Sequence, residues 1–239
     1  MIMKDRAEEF NEILKGKSPE EILSFFMVEM GSKVKLGSSL GAEDQVLTDM
    51  MVKIHPKPDI FTLDTGRLFP ETYETLDATN KKYGISIELY FPDSARIQGM
   101  VKEKGINLFY ESIENRKLCC HIRKIEPLKR ALHGVEVWIS GLRKDQSVTR
   151  FFTPLVEWDN TYNLLKVNPL LTWREKDVWD YIHEHDVPYN ALHDKGFPSI
   201  GCQPCTRAIK PGEDVRAGRW WWEEPEQKEC GLHVKEKET

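Results

Sequence analysis

The 239-residue sequence has no uninterrupted run of about 18 apolar residues, the minimum for a membrane-spanning helix. Its first thirty residues carry several acidic side chains and no continuous apolar stretch, so they do not predict a secretory signal peptide. Internal repeats and low-complexity tracts are also missing. We therefore expect a protein of the cytosol that has no membrane partner.

An excess of positive charge is lacking too. Lys and Arg total 34 against 39 Asp and Glu, which leaves a net charge of -5. A chain with this balance has no general field to steer it toward nucleic acid, so we predict no nucleic-acid partner. The length and the 40% apolar content suit one compact domain, or one domain with a small extension.

Cysteine is scarce, and its count is odd. An odd number of thiols in a reducing compartment favours metal binding or redox chemistry over a disulfide framework. The five cysteines form two pairs and a singleton: Cys119 with Cys120, Cys202 with Cys205, and Cys230 alone.

Short apolar segments alternate with helical patterns along most of the chain. This alternation is typical of an α/β fold with a mainly parallel sheet flanked by helices. Proline at the first helical position predicts a helix from Pro70 to about Tyr83. The clearest strands are predicted at residues 34–38, 59–63, 85–90 and 135–140.

Two capping boxes predict the starts of further helices. Ser18-Pro19-Glu20-Glu21 opens a helix that ends at Gly31, and Thr172-Trp173-Arg174-Glu175 opens one that ends before Pro188. Glycine, proline and charge dominate from Gly196 onward. We therefore predict an α/β nucleotide-binding domain at 1–195, which includes the first cysteine pair, and a loop-rich extension at 196–239 with the second pair and a mobile catalytic tail.

Three polar loops that contain glycine follow three of the predicted strands. Ligands bind at the carboxyl ends of parallel strands, and backbone amides at a helix N-terminus favour phosphate. Any one loop is equally compatible with an ordinary strand–helix turn, and the Gly-Lys-Ser/Thr ending of a Walker A loop is missing. Together they predict a nucleotide pocket, with candidate substrate-binding residues Ser38, Ser39, Gly41, Asp44, Asp64, Thr65, Gly66, Gly141 and Arg143.

The two cysteine pairs predict a metal centre. Four thiolates can bind one zinc ion or an iron–sulfur cluster. Structural zinc sites usually combine two Cys-x2-Cys turns, whereas the neighbours Cys119 and Cys120 more readily reach two irons of one cluster. We favour the iron–sulfur cluster and keep zinc as the alternative.

Charge is uneven around the first pair. Residues 116–130 contain six Lys or Arg residues and one acid, Glu126, in a chain that is negative overall. The basic run can compensate an anionic cluster and an anionic substrate. A solvated helix face is the alternative interpretation, and it suits Lys129 and Arg130 better than Arg123 and Lys124.

Cys230 lies near the end of an acidic segment that we expect to be mobile. A thiol on a mobile tail can swing to a substrate, and the thiolate is its nucleophilic form. Because Glu229 would raise the thiol pKa, activation would need His233, Arg216 or Arg219. The alternative is that Cys230 is incidental.

Taken together, these motifs resemble the assimilatory adenylyl-sulfate (APS) reductases of the APS/PAPS reductase family over almost the whole chain. The resemblance rests on the order of seven segments: 38–44, 63–72, 119–120, 141–143, 202–205, 216–220 and 229–233. It implies an adenine-nucleotide α-hydrolase-like sheet, and a 4Fe-4S cluster on Cys119, Cys120, Cys202 and Cys205.

The resemblance also implies the reaction, which belongs to sulfate assimilation. Cys230 would attack the sulfur of adenosine 5'-phosphosulfate, displace AMP and become an S-sulfonate. Reduced thioredoxin, or alternatively glutaredoxin, would then release sulfite. Lys124 would lie between cluster and sulfate, and Arg216, Arg219 and His233 would complete the catalytic set with Cys230.

Three alternatives stay open at this point. Family members without the cluster cysteines generally use PAPS, so four cysteines favour APS, although PAPS use or dual use is not excluded by the sequence. A cluster-bearing tRNA sulfurtransferase is opposed by the loop at 38–44, which lacks the Ser-Gly-Gly-x-Asp-Ser form. A non-catalytic iron–sulfur or zinc module leaves Cys230 unexplained. The sequence leaves a homo-oligomer open.

Overall fold

The computed structural model describes residues 6–146 and 152–224. Its six-stranded sheet has the order β3-β2-β1-β4-β6-β5. β1 pairs in parallel with β2 and β4, β4 pairs in parallel with β6, and β5 is antiparallel to β6. The mainly parallel α/β sheet is thereby confirmed. The strands are β1 (Val34–Ser38), β2 (Ile60–Leu63), β3 (Glu88–Tyr90), β4 (Val137–Ile139), β5 (Val156–Asp159) and β6 (Leu164–Val167).

Eight α-helices lie between and beside the strands in the described ranges. They are α1 (Arg6–Ile13), α2 (Pro19–Met30), α3 (Ala42–Ile54), α4 (Pro70–Tyr83), α5 (Ser94–Lys104), α6 (Ile113–Cys120), α7 (Glu126–Ala131) and α8 (Glu175–Glu184). A π-helical turn at His121–Ile125 joins α6 to α7. Within 6–146 and 152–224, no helix combines the length and the apolar character that crossing a membrane requires.

The described residues form two compact units. The first contains residues 6–62, 74–88, 132–146 and 152–190, and the second contains 63–73, 89–131 and 191–224. The boundary predicted between residues 195 and 196 stays a prediction.

The core of the first unit is built around the central strands of the sheet. β1 alternates between buried and partly buried positions, and its Val34 and Leu36 point into the core. Val137, Ile139 and Val167 from β4 and β6 join them, and all are almost completely shielded from solvent. Central parallel strands are covered in this way because helices must shield them. The loops that follow β1 and β4 therefore begin from rigid strand ends.

Local signals in the sequence placed two helices correctly. The Ser18 hydroxyl accepts from the Glu21 amide at 3.2 Å, and the Glu21 carboxylate accepts from the Ser18 amide at 2.8 Å, so the first capping box is confirmed. The helix predicted at Pro70–Tyr83 is α4.

The second capping box was wrong. Helix α8 starts at Glu175, and its N-cap is Arg174, whose amide donates to the Asp177 carboxylate at 2.8 Å. Thr172 therefore lies two residues before the N-cap. The N-cap is set by the carboxylate that accepts from the backbone amide three residues earlier, which here is Asp177.

The sequence also missed the hairpin of β5 and β6 and overestimated the length of β3. β5 and β6 have four residues each, and their cross-strand pair Glu157–Lys166 is polar. The Lys166 ammonium lies 3.6 Å from the Glu157 carboxylate and 5.1 Å from the Trp138 ring centre. A buried lysine breaks the apolar pattern by which a strand is recognised.

The second unit has its own small core. It consists of Met100, Leu108, Phe109, Cys119, Ile122, Cys205 and Trp220. From 191 to 224 the described chain has short 3-10 turns and one isolated bridge between Thr206 and Arg219, as expected for a loop-rich segment. Two of the predicted metal-ligand cysteines thus belong to the packed interior.

Candidate active site

The loop after β1 is a tight connection that leads directly into α3. Gly41 is the N-cap of α3, with φ of -78°. Leu40 adopts a left-handed conformation with φ of 60°, and its amide donates to the Ser38 hydroxyl at 3.1 Å. The Leu40 side chain is buried, which keeps the residue in this unfavourable conformation. The strand–loop–helix arrangement predicted for residues 38–44 is therefore present.

Asp44 is a buried carboxylate at the start of α3. It accepts hydrogen bonds from the Ser39 amide at 2.6 Å and the Ser39 hydroxyl at 2.7 Å, and from the Gly141 amide. Burial raises the pKa of Asp44 to about 6, and these hydrogen bonds offset only part of that effect. The structure thus brings the predicted residues Ser39, Asp44 and Gly141 together.

Arg143 is bound to the neighbouring carboxylate. Its guanidinium makes an ion pair of 2.8 Å with Glu43, and the Gln146 amide group donates to the same carboxylate at 2.9 Å. Arg143 is also buried. The loop after β4 is thereby attached through side chains to the first turn of α3.

The second predicted loop belongs to the second unit. The Asp64 carboxylate accepts from the Gly66 amide at 2.7 Å and from the Tyr73 hydroxyl at 3.0 Å. Burial, with Asp64 beside it, raises the pKa of Tyr73 to about 12. The Thr65 hydroxyl lies 3.2 Å from the Cys202 sulfur, so this loop reaches the predicted metal ligands.

All four paired cysteines line one open pocket in the second unit. Cys119 and Cys120 are the last residues of α6. Cys202 is the N-cap and Cys205 the last residue of a 3-10 turn in which the Gln203 amide donates to the Arg67 carbonyl at 2.8 Å. The remaining lining residues are Arg67, Phe109, Arg116, Arg123, Lys124 and Pro204.

The π-helical turn after Cys120 carries two of the lining cations, Arg123 and Lys124. It is closed by the Glu126 amide, which donates to the His121 carbonyl. Pro127 follows in the first turn of α7, and because it has no N–H it cannot donate to the Arg123 carbonyl as a regular α-helix would require. Turns of this kind are frequent at functional sites.

Burial makes two thiols of the pocket, those of Cys119 and Cys205, resist ionisation. It raises the pKa of Cys205 to about 12 and also raises that of Cys119, whereas Lys124 and Arg123 act in the opposite direction. Among the described residues, no group of three or more His, Cys, Asp or Glu side chains could hold a metal ion as it stands.

Arg123 has an incompletely bonded guanidinium. One terminal nitrogen donates to the Thr65 carbonyl at 2.6 Å, and burial covers nearly the whole side chain. Its Nε is buried and has no hydrogen-bond partner in the described part of the chain. A buried donor without a partner is costly, which makes it a candidate for contact with an anionic group.

The predicted catalytic cations have different surroundings. Lys124 lines the cysteine pocket, and Arg219 is buried with its guanidinium 4.8 Å from the Trp220 ring centre. The Arg216 amide donates to the Asp214 carboxylate at 2.8 Å. Cys230 and His233 lie outside the described residues.

Two contacts around the pocket were not predicted. Arg116 forms an ion pair of 2.8 Å with Glu223, and both side chains are buried. The Tyr110 hydroxyl donates to the Pro204 carbonyl at 2.7 Å. Arg116 could be counted only as one member of the basic run, because its partner lies 107 residues away in the sequence.

Comparison with known proteins adds an independent result. Residues 33–208 match the phosphoadenosine phosphosulfate reductase domain family. The chain is 53% identical to the adenosine 5'-phosphosulfate reductase of Allochromatium vinosum, over 90% of this chain and 84% of that protein. It is 52% identical to the enzyme of the same name from Burkholderia cepacia, over 86% of this chain and 82% of that protein.

A solved structure supports the fold. The crystal structure of phosphoadenylyl-sulfate (PAPS) reductase from Candida auris, a phosphate complex, matches with a TM-score of 0.73 and 28% identity. The match covers 86% of this chain and 97% of that chain.

Proposed function

The chain belongs to the phosphoadenosine phosphosulfate reductase domain family, and we propose that it reduces adenosine 5'-phosphosulfate to sulfite and AMP in sulfate assimilation. The observation that carries this choice is the pocket that Cys119, Cys120, Cys202 and Cys205 line together with Lys124. Relatives about half identical to the chain bear the name of this activity.

The four thiols would hold a 4Fe-4S cluster. Four cysteine sulfurs are the usual donor set of such a cluster, and its thiolates bind different irons, so the thiols need a shared pocket rather than a single shared point. The buried donor of Arg123 and the charge of Lys124 fit an anionic group in this pocket. When bound, the cluster supplies a local electrostatic field for the sulfate.

The nucleotide would bind at the first turn of α3. The Ser38–Gly41 loop and the amides that follow it favour the phosphate, and Gly141 and Arg143 form the neighbouring loop. Asp64, Thr65 and Gly66 remain candidate substrate-binding residues, as the sequence predicts. AMP is an acceptable leaving group when its phosphate is held in place.

Cys230 would be the nucleophile. Its thiolate attacks the sulfur of the substrate, the bond from sulfur to the phosphate oxygen breaks with its electron pair on AMP, and Cys230 keeps the sulfonate. Lys124, Arg216, Arg219 and His233 would stabilise the negative charge during this transfer. Two thiols of reduced thioredoxin, or alternatively of glutaredoxin, then become a disulfide while sulfite leaves and the Cys230 thiol is restored. Both reductants belong to the cytoplasm, where we place the protein.

A second candidate is PAPS reduction, alone or together with APS reduction. The structural similarity to the PAPS reductase of Candida auris favours it. PAPS carries an additional 3'-phosphate, so the two substrates differ at a group that a binding site can recognise.

The test measures sulfite release from each nucleotide with reduced thioredoxin, together with iron and acid-labile sulfide in the purified protein. We expect APS to be the preferred substrate, and iron and sulfide to be present in a one-to-one ratio. A marked preference for PAPS would establish the second candidate. Stoichiometric zinc without sulfide would remove the cluster from the proposal.

A further inference from the structure

The first turn of α3 carries two adjacent carboxylates, Glu43 and Asp44, where an anionic phosphate is expected to bind. The hydrogen bonds of these two carboxylates explain how negative side chains can lie beside a phosphate site. Glu43 is paired with Arg143 and Gln146, and Asp44 receives donors from Ser39 and Gly141. Both carboxylates thus bond to protein groups.

The donors on Asp44 come from two different loops. Ser39 supplies its amide at 2.6 Å and its hydroxyl at 2.7 Å, both to the same oxygen, and it belongs to the loop after β1. The Gly141 amide belongs to the loop after β4. β1 and β4 are neighbours in the sheet, so one carboxylate joins the ends of two adjacent strands.

Gly141 leaves the space that this contact needs. A Cβ atom at position 141 would lie 2.4 Å from one Asp44 oxygen and 2.9 Å from the Glu43 Cβ. No side chain fits at those distances, so glycine is required for the loop after β4 to approach α3.

The loop after β1 contains a strained residue, so other contacts must hold the loop in its conformation. Leu40 is left-handed, a conformation that costs a non-glycine residue about 1–2 kcal/mol. Ser39, which precedes it, is bound twice by Asp44, and Gly41, which follows it, begins the helix. Removing the carboxylate would free the strained loop to relax.

We propose that Asp44 is a positioning residue that fastens the loop after β1 to the loop after β4, and so sets the spacing of the groups that receive the nucleotide phosphate. This inference rests on the proposed function. The sequence predicts that Asp44 binds the substrate, but a carboxylate accepts hydrogen bonds and repels a phosphate. Asp44 therefore acts on the nucleotide site indirectly, through its hydrogen bonds with Ser39 and Gly141.

The main test is Asp44→Asn in the purified full-length protein at pH 7.5, measured with AMP. Asparagine keeps the shape but replaces one oxygen with a donor, so that an N–H faces either Ser39 or Gly141. We expect the Kd of AMP to rise about tenfold or more. We also expect faster amide hydrogen exchange at residues 38–41 and 140–142.

Asp49→Asn is the matched control. Asp49 is buried on the same helix, but it accepts from Tyr83 at 2.9 Å and Tyr181 at 2.7 Å and pairs with Lys53; it makes no bond to the described residues of either loop. We expect this variant to lose stability while its Kd for AMP stays within about twofold of the parent protein. Equal weakening in both variants would show a general loss of helix stability and would overturn the proposal.

Gly141→Ala is a second variant, which retains the Asp44 carboxylate. It tests the proposed role of Asp44 if Asp44→Asn does not fold. We expect the same loosening of both loops and the same weakening of AMP binding. Gly99→Ala is its control, because a Cβ there meets no atom within 4 Å. Unchanged exchange and unchanged AMP affinity in a folded Asp44→Asn or Gly141→Ala variant contradict the inference.

The two readouts separate this inference from the proposed function. Faster loop exchange in Asp44→Asn supports the fastening role even if the parent protein does not bind AMP. In that case the nucleotide site of the proposed function is the part that fails.

Discussion

In the first unit, the charged groups of the candidate site bond to one another: Arg143 pairs with Glu43, and Asp44 accepts from Ser39. In the second unit, four thiols line one pocket, and the buried Nε of Arg123 has no hydrogen-bond partner among the described residues. Under the proposed function, the loops of the first unit bind and release a nucleotide in each cycle, and such loops benefit from being preformed. Under the proposed function, the cluster would complete the second site, so the donors of that site need not all be satisfied by protein.

The strongest test of this difference between the two sites replaces the proposed nucleophile, Cys230. Cys230→Ser should abolish sulfite release and the covalent S-sulfonate, because a serine hydroxyl is a far weaker nucleophile than a thiolate at neutral pH. AMP affinity and iron content should both remain, which assays of turnover, intact mass, AMP binding and iron would check. Normal sulfite release from the variant would exclude Cys230 as the nucleophile.

Cys202→Ala is the counterpart of that variant. It removes one sulfur from the pocket of the second unit, so iron and acid-labile sulfide should be lost while the AMP contacts of the loops after β1 and β4 remain. Loss of AMP binding along with the iron would show that the two units do not prepare their sites independently.

The buried ion pair of the second unit should dominate its stability. Arg116→Ala leaves Glu223 as an unpaired buried charge and should lower the free energy of unfolding by about 3–5 kcal/mol. Urea unfolding followed by tryptophan fluorescence measures it. Arg96→Ala is the control, because its ion pair with Glu126 is exposed and should contribute little. Equal losses in both variants would contradict the assigned role of burial.

Lys124 should act on the chemical step. Lys124→Ala removes a cation from the cysteine pocket and should slow S-sulfonate formation in a single turnover by about a hundredfold, with the fold retained. Lys129→Ala, an exposed lysine on α7, should leave that rate unchanged. Unchanged single-turnover kinetics in Lys124→Ala would remove Lys124 from the catalytic set.

The smallest expected effect concerns the pH dependence of the first unit. Asp44 has a pKa of about 6 in the folded protein against a usual 3.8, so the folded state holds this proton more tightly than the unfolded chain. Protonation of Asp44 therefore favours folding as the pH falls from about 7 to 4, by about 1–3 kcal/mol relative to Asp44→Asn. Unfolding of both proteins across this pH range measures the difference. If the difference in free energy of unfolding between the two proteins did not change with pH, Asp44 would have its usual pKa.

Local chemistry explains which elements could be predicted. The capping box at Ser18 and Glu21, the proline that opens α4, and the central strands of the sheet depend on neighbours within a few residues. Thr172 was misassigned as a cap because two carboxylates, those of Glu175 and Asp177, lie near the helix start, and the Asp177 carboxylate is the one that accepts from the N-cap amide of Arg174. β5 and β6 were missed because the buried Lys166 is stabilised by Glu157 and Trp138, which the apolar pattern does not reveal.

By itself, the sequence determined the alternation of strands and helices, the two cysteine pairs and the polar loops after β1 and β4, since each depends on residue type and close spacing. Only the tertiary structure decided that Arg143 pairs with Glu43, 100 residues away, and that Arg116 pairs with Glu223. The physical reason is that a charge shows in the sequence, whereas its partner and its burial depend on contacts that folding brings together.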